Sequence, residues 1–198
     1  MKPDLSPTAR YILETVAPIF NRQGYVGTSL SDLTDATKLT KGAIYGNFKN
    51  KEDLALKAFY FNFEKSISPL LPEMAKQASS IEKLLAVSNY YKNYYHLVVE
   101  SGGCPLLNVS SDAKFNNPKL FEAAKKVANS ILEALTTVIQ TGIEESEIKQ
   151  SIHAESYSKS IFSMIQGGIF LALTNENESF LTATLERVDA LIIDEMKR

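Results

Sequence analysis

The sequence predicts an all-α protein of about nine helices. Apolar residues recur at intervals of three and four over most of the 198 residues, which is the spacing of one helix face. Helix-capping residues, glycines and prolines stand at the ends of these periodic segments. No segment alternates polar and apolar residues over the length of a useful strand. We therefore expect an N-terminal three-helix domain over residues 1–50 and a larger helical domain over residues 51–198.

The first helix is predicted from about residue 6 to about residue 23. Gly24 is expected to end it, because glycine readily adopts the left-handed conformation that often follows a helix. Pro18 lies inside the segment and lacks a backbone N–H, so a bend is expected there. The inward face of this helix is predicted to consist of Ile12, Val16, Ile19 and Phe20.

Two short helices joined by a tight turn are predicted between residues 24 and 51. Thr28 is the expected N-cap of the first one, because its hydroxyl can accept a bond from a backbone N–H. The turn falls at Lys38 and Leu39. The apolar stripe of this helix is predicted to consist of Leu30, Leu33 and Ala36.

The second short helix is predicted to start at Thr40, its N-cap. Its inward residues are Ala43, Ile44 and Phe48, and its opposite face carries Lys41, Tyr45 and Asn47. A helix this short does not fold alone, so its neighbours must hold it while its polar face stays free. That is the arrangement of a helix-turn-helix unit, whose second helix enters the DNA major groove.

A resemblance to a known family rests on short stretches that match it in order and spacing. These stretches are Gly24-Tyr25, Thr28-Ser29-Leu30, Thr40-Lys41-Gly42-Ala43-Ile44-Tyr45, Phe48 and Lys51-Glu52-Asp53-Leu54. Together they resemble the N-terminal signature of TetR/AcrR-type regulators, over roughly residues 6–65. The family usually carries glycine in the turn where this chain has Lys38, so this turn is expected to be slightly strained or differently shaped.

The resemblance implies a homodimeric DNA-binding transcriptional regulator, more often a repressor than an activator, which a small-molecule effector releases. Its partner would be double-stranded DNA with a roughly palindromic operator. The DNA contacts that it implies are Thr28, Lys38, Thr40, Lys41, Tyr45, Asn47 and Lys51. Lysine and tyrosine side chains suit phosphates, whereas Asn47 suits a phosphate or the edge of an adenine.

The charge distribution agrees with a DNA-binding N-terminal segment. The whole chain has a formal net charge of −2, which alone argues against a simple nucleic-acid-binding protein. Residues 1–60, however, hold 8 basic and 6 acidic residues, and the rest of the chain holds 13 and 17. The basic excess therefore lies in the segment with the predicted helix-turn-helix unit.

The single cysteine, Cys104, excludes an internal disulfide framework and fits a reducing cytoplasm. We expect a buried structural thiol rather than a redox sensor, because the sequence places no second cysteine near it. No apolar run reaches the length of a bilayer span. These features predict a cytoplasmic protein.

The remaining helices follow from the apolar period and its breaks. Asn50 is the expected cap of the fourth helix, and Gly102-Gly103 is the expected break after the fifth. The predicted ranges are 51–68, 80–98, 105–112, 118–142, 152–174 and 180–197.

The last two helices carry wide apolar stripes, which suit a four-helix bundle made from two chains. The alternative is that these stripes pack on the chain's own core. The predicted dimer interface consists of Ile161, Ile165, Gly168, Ile169, Leu185, Val188 and Ile192.

Four tyrosines, Tyr90, Tyr91, Tyr94 and Tyr95, cover one broad side of the predicted fifth helix. They could line a pocket for an uncharged or weakly charged effector with aromatic character. The alternative is a core face with tyrosine hydroxyls that reach solvent. The predicted ligand-binding residues are Phe59, Phe63, Tyr91, Tyr94, Tyr95 and Phe121.

The sequence suggests no catalytic site, metal site or cofactor. His96 and His153 are far apart along the chain, and neither accompanies a nucleophile motif. The acidic residues around Glu144 resemble metal ligands only in composition, and no glycine-rich phosphate loop is present. Two alternatives remain at this point: a helical enzyme or a lipid- or small-molecule-binding protein that uses its C-terminal core, and an adapter that has lost DNA binding.

Overall fold

A computed structural model describes residues 5–198, and within this range the chain is all-α, as predicted. It forms eleven α-helices and one π-helical segment, two more α-helices than expected. The helices are α1 Pro7–Gly27, α2 Leu30–Thr37, α3 Lys41–Tyr45, α4 Lys51–Ile67, α5 Leu70–Ala75, α6 Ser80–Tyr91, α7 Tyr94–Glu100, α8 Pro105–Ala113, α9 Pro118–Glu144, α10 Ala154–Thr174 and α11 Ser179–Ala190, followed by the π-helical segment Leu191–Met196. None of the described helices is long and apolar enough to cross a bilayer.

The first helix breaks where the sequence predicts, at Gly24. Gly24 has φ 73° and ψ 175°, which are non-helical angles inside α1. Pro18 also lies inside α1, but its backbone angles are helical. A Cβ atom on residue 24 would lie 2.7 Å from the Asp112 carboxylate. Both the backbone angle and the close carboxylate therefore require glycine at this position.

The predicted fifth helix is wrong as a single element, because the structure divides it into α6 and α7. The break at Lys92 and Asn93 contains neither glycine nor proline. The backbone N–H groups of these two residues donate to the carbonyls of Asn89 and Tyr90, three residues back. The last turn of α6 thus tightens and the helix ends there. The short helix α5 lies between the predicted ranges 51–68 and 80–98, where the sequence predicts no helix.

The chain divides into two compact units, of which the first comprises residues 1–66 and 100–126. Its core is built by α1 to α4. The buried residues of this cluster are Ala9, Ile12, Leu13, Val16, Ala17, Phe20, Leu33, Ile44, Phe48, Leu54, Ala55 and Ala58. The sequence instead suggests a boundary at residue 50 between a DNA-binding domain and the remaining helices, and that boundary remains a prediction. Residues 1–4 of the predicted domain lie outside the described range.

Two asparagines attach the start of α8 to α1 within this first unit. The Asn21 amide donates to the Ser101 and Gly103 carbonyls at 2.9 and 2.7 Å. The Asn108 amide donates to the Asn21 and Gly102 carbonyls at 2.9 and 3.0 Å. These bonds satisfy three backbone carbonyls of a half-buried loop and one carbonyl of α1 just before its break. They explain why residues 100–126 join the N-terminal helices. Cys104 is buried in this loop, as expected.

The second unit comprises residues 67–99 and 127–198. Helices α10 and α11 cross closely in it, since a Cβ on Gly168 would lie 2.9 Å from the Thr184 hydroxyl oxygen. The Lys149 ammonium donates to the carbonyls of Asp194 and Glu195 at 3.1 and 2.8 Å, which satisfies the end of the π-helical segment. Its fully buried residues include Leu84, Ile139, Ile148, Ile161, Ile165, Ile169, Leu181 and Leu185.

Candidate nucleic-acid interface

Helix α2 begins with a capping box formed by Ser29 and Asp32. The Ser29 hydroxyl accepts from the Asp32 N–H at 3.1 Å, and the Asp32 carboxylate accepts from the Ser29 N–H at 2.6 Å. The prediction that Thr28 caps this helix is wrong by one residue. Thr28 is fully buried, and its hydroxyl donates to the Gly24 carbonyl at 2.7 Å. The Thr28 side chain therefore stabilises the non-helical backbone at Gly24 and does not cap α2.

The turn between α2 and α3 contains Lys38 in the left-handed conformation, with φ 57° and ψ 23°. A non-glycine residue there costs about 1–2 kcal/mol, which is the strain expected from the sequence. The Tyr11 hydroxyl donates to the Thr37 carbonyl at 3.0 Å and thereby fixes the end of α2 against α1. The Lys38 side chain itself is exposed.

Helix α3 is short but firmly anchored. The Thr40 hydroxyl caps it by accepting from the Ala43 N–H at 3.2 Å. Ile44 is completely buried and Phe48 is 2% exposed, so the inward face is the predicted one. Thr40 and Lys41 are exposed, whereas the Tyr45 ring is half-buried and packs on the edge of the first unit's core.

Asn47 makes two intramolecular contacts. Its amide donates to the Ala43 carbonyl at 3.0 Å, and its side-chain oxygen accepts from the Ser6 hydroxyl at 3.1 Å. These contacts tie the start of α1 to the end of α3. They give Asn47 a positioning role that helical spacing alone does not indicate.

Lys51 lies against two groups that the sequence does not indicate as its neighbours. Its ammonium lies 4.5 Å from the centroid of the Tyr25 ring, in a cation–π contact. Burial lowers the pKa of Lys51, while Asp112 and Asp32 act in the opposite direction. The Asp112 carboxylate also accepts from the Tyr25 N–H at 2.7 Å. From α8, Asp112 therefore holds the Tyr25 backbone and adds a negative charge near Lys51. Because Asp112 is far from both residues along the chain, the local sequence does not indicate this arrangement.

Replacing Ser29 by alanine is expected to destabilise the helix-turn-helix unit by about 1 kcal/mol, because the Asp32 N–H then loses its acceptor. Ser31→Ala is the matched control, since its hydroxyl lies on the same helix in an exposed 3.3 Å contact with Asp35. Thermal unfolding of both variants measures the difference. Equal melting temperatures for the two variants would contradict this role of Ser29.

Asp32 should make this stability depend on pH. The Ser29 N–H, and then the Ser29 hydroxyl, hold the pKa of Asp32 below its ordinary value of 3.8. A lowered carboxyl pKa stabilises the folded state above the ordinary value, and that stabilisation is lost as pH falls through the folded value. Asp32→Ala should therefore be less stable than the wild type at about pH 7, and the gap should close only as pH falls below 3.8 through the lowered pKa of Asp32. A gap that widens in acid would contradict this assignment.

The predicted ligand-binding residues lie on different features of the two units. In the first unit, Phe59 borders a cavity of about 20 Å³, which has room for about one water molecule. Phe63 and Phe121 are half-buried and do not line it. In the second unit, Tyr94 borders a groove of 520 Å³, whereas Tyr91 and Tyr95 do not.

Six of the seven predicted dimer-interface residues have their side chains in the core of the second unit, which leaves almost no surface there for a second chain. The seventh, Gly168, also lines the open surface between α10 and α11. The α10 residues Ile161, Ile165 and Ile169 are each 1% exposed. Leu185, Val188 and Ile192 are at most 1% exposed, and Gly168 is buried at the α10–α11 crossing. These stripes pack on the chain's own core, which is the alternative that the periodicity left open.

A different apolar surface of α10 and α11 is exposed. Phe170, Leu171 and Phe180 are 55%, 44% and 39% exposed. Gly167 has no other group within 4 Å of its Cβ position, so this side of α10 is open. We define this surface, which also contains Met164 and Ala183, as the α10–α11 outer face.

Both imidazoles make structural contacts in the second unit. His96 pairs with Glu178 at 2.8 Å, and the His153 ring accepts from the Ser156 N–H at 3.3 Å to cap α10. Among residues 5–198, no group of three or more His, Cys, Asp and Glu side chains is placed to hold a metal ion.

Comparison with known proteins matches both parts of the chain. Residues 12–58 match the family described as bacterial regulatory proteins, tetR family. Residues 80–187 match the tetracyclin repressor-like C-terminal domain. The HTH-type transcriptional regulator YxaF of Bacillus subtilis is 27% identical over 185 residues, which cover 91% of this chain and 93% of YxaF.

Two crystal structures of similar proteins extend the comparison. A TetR-family regulator from Cytophaga hutchinsonii is 33% identical with a TM-score of 0.87, and 98% of each chain is covered. One from Chloroflexus aurantiacus is 30% identical with a TM-score of 0.90, and 96% of each chain is covered. These relatives are transcriptional regulators, so an enzyme or a lipid-binding protein without DNA binding is not favoured. Matches that include more than half of the sequence show that this chain belongs to the TetR family of bacterial transcriptional regulators.

Proposed function

We propose that this protein is a homodimeric repressor that a small-molecule effector releases from its operator. The observation that carries the proposal is the short, well-anchored α3. Its inward side is fixed by Ile44 and Phe48, while Lys41 and its cap Thr40 stay exposed. A rigid helix with a free polar side is what reading of the major groove requires.

We assign the DNA contacts to the exposed and half-buried residues of this unit. Lys38, Lys41 and Lys51 supply positive charge for phosphates, and Thr40 and Tyr45 supply hydroxyls. The side chains of Thr28 and Asn47 are assigned supporting roles, because their polar atoms already bond within the protein.

The α10–α11 outer face is our candidate for the dimer interface. Its aromatic and aliphatic side chains form an apolar surface that water solvates poorly, which favours contact with a second copy. A two-fold axis at this face would give the dimer two symmetry-related copies of α3. The operator would then be roughly palindromic, with half-sites one helical turn apart, about 34–36 Å.

The effector acts in this proposal by favouring one dimer conformation over another. It needs only to bind the conformation with misplaced reading helices more tightly, and a coupling of about 1–3 kcal/mol is typical. We place the effector site in residues 67–198. A bacterial regulator of this kind meets its operator in the cytoplasm, which is where we place the protein.

Selection of bound sequences from a random DNA library tests the proposal. The full chain should enrich a two-fold symmetric sequence whose half-sites are separated by about one helical turn. A shuffled version of the enriched sequence is the control, and it should bind only weakly and with strong salt dependence. Enrichment of no sequence, or of sequences without symmetry, would contradict a dimeric operator-binding regulator.

A further inference from the structure

A groove along α5, α6 and α7 in the second unit has the size of a small-molecule site. Its volume of 520 Å³ falls in the range of about 300–1,000 Å³ that is usual for such sites. The α6 residues that line it include Glu82, Asn89 and Tyr90, which are seven and eight residues apart and therefore share one helix face. Asn93 and Tyr94 continue this lining after the break between α6 and α7.

Two tyrosines form the aromatic part of the groove. The ring centroids of Tyr90 and Tyr94 lie 6.2 Å apart with the planes tilted by 56°. Tyr94 is 5% exposed and is backed by Tyr91, with 4.9 Å between the ring centroids. Burial raises the pKa of Tyr90, so its phenol stays neutral. The aromatic part is therefore an uncharged surface, held in place by packing.

The charge of the groove is negative. Its ten lining residues comprise the carboxylates Glu73 and Glu82, three side-chain amides, two tyrosines and three aliphatic residues, with no basic residue among them. Glu82 stays ionised, because the Ser79 N–H and then the Ser79 hydroxyl lower its pKa. Glu73 pairs with Lys76 at 2.7 Å, but both side chains are more than half exposed. Such a surface pair is weak, so a ligand cation can replace the lysine.

We infer that this groove binds a small organic cation with an apolar or aromatic portion. The tyrosine faces attract a cation, the two carboxylates neutralise it, and the aliphatic residues contact its apolar part. This inference rests on the proposed function in taking the occupant as the effector. It replaces the uncharged or weakly charged ligand that the tyrosine spacing alone suggests, because the two carboxylates come from two helices whose proximity the sequence does not reveal.

Calorimetric titration of the full chain with benzyltrimethylammonium tests the inference, with benzyl alcohol and phenylacetate as neutral and anionic counterparts. The cation should bind more tightly than either. Glu82→Gln should weaken its binding by at least about fivefold, and Tyr90→Leu likewise, since each removes one attraction. Glutamine at position 82 still supports the capping box, so the variant should keep its fold. Glu186→Gln on the exposed side of α11 is the matched control and should bind as the wild type does.

The DNA arm of the same experiment separates this inference from the proposed function. Saturating benzyltrimethylammonium should change the affinity of the wild type for its selected operator by at least about fivefold. An operator-binding wild type that ignores the cation, or Glu82→Gln and Tyr90→Leu variants that bind it unchanged, would overturn the groove assignment alone. Binding of the cation without any effect on operator affinity would overturn its role as effector. A protein that binds the cation but no DNA would instead contradict the proposed function.

Discussion

Replacing Lys41 by alanine is expected to weaken binding to operator and to random DNA together, and to flatten the salt dependence of both. A lysine that neutralises one phosphate contributes about 0.9 to the slope of log affinity against log salt. Because a dimer carries two copies, the slope should fall by roughly 2. Tyr45→Phe should weaken binding less, since it removes the hydroxyl but keeps the ring that packs on the core. Affinity measured across a salt series gives both quantities.

Controls for this experiment come from the same compact unit. Lys126→Ala removes an exposed lysine of α9 and should leave the salt slope unchanged. Lys51→Ala is less simple, because the Lys51 ammonium also contacts the Tyr25 ring. It should therefore lower the melting temperature as well as the DNA affinity. An unchanged salt slope in Lys41→Ala, together with unchanged DNA affinity in Tyr45→Phe, would mean that α3 is not the reading helix.

The helix-turn-helix unit was largely predictable because its determinants are local. The cap at Thr40 and the inward pair Ile44 and Phe48 follow from spacing within a few residues. The error at Thr28 shows the limit of this reasoning. Thr28 and Ser29 both carry a hydroxyl that suits a cap, and only the backbone angles after Gly24 decide which one meets the Asp32 N–H.

The α10 stripes show why periodicity could not assign the interface. This helix has apolar residues around most of its circumference, so two faces compete for the core. Ile165 is buried and Leu171 is 44% exposed, although each lies in an apolar stripe of the α10 sequence. The choice depends on which neighbours pack against α10, and that information is distributed over the whole second unit.

The groove was beyond prediction for a different reason. Glu73 and Glu82 lie on separate helices, and α5 was not expected at all. The break between α6 and α7 contains no glycine or proline, so the sequence places Tyr90 and Tyr94 on one continuous helix. The bonds from the Lys92 and Asn93 N–H groups to carbonyls three residues back end α6 there, and the two rings lie 6.2 Å apart across that break.

Replacing Leu171 by arginine is expected to convert the proposed dimer into a monomer and to abolish operator binding. Leu171 is 44% exposed on the α10–α11 outer face, so each chain of the variant should keep its fold, although it loses the stabilisation that dimerisation adds to the melting temperature. Arg187 lies on the same outer face, and a second arginine on that face adds repulsion between like charges. Light scattering at micromolar concentration should give the chain mass of 22.0 kDa in place of twice that value.

The two-fold symmetry makes this the largest effect that we expect. An isologous interface contains each substitution twice, so a cost of about 2 kcal/mol per buried, unpaired charge becomes about 4 kcal/mol per dimer. That corresponds to a roughly thousandfold higher dissociation constant. Val99→Arg is the matched control, since Val99 is 50% exposed on α7 of the same unit and does not line the groove of the α10–α11 outer face. It should remain dimeric and bind operator. If Val99→Arg dissociates the dimer and Leu171→Arg does not, the interface lies on another face. If the wild type is itself a monomer at this concentration, both the dimer and the palindromic operator are wrong. A monomer has a single reading helix, and no symmetric second helix lies one helical turn away along the DNA.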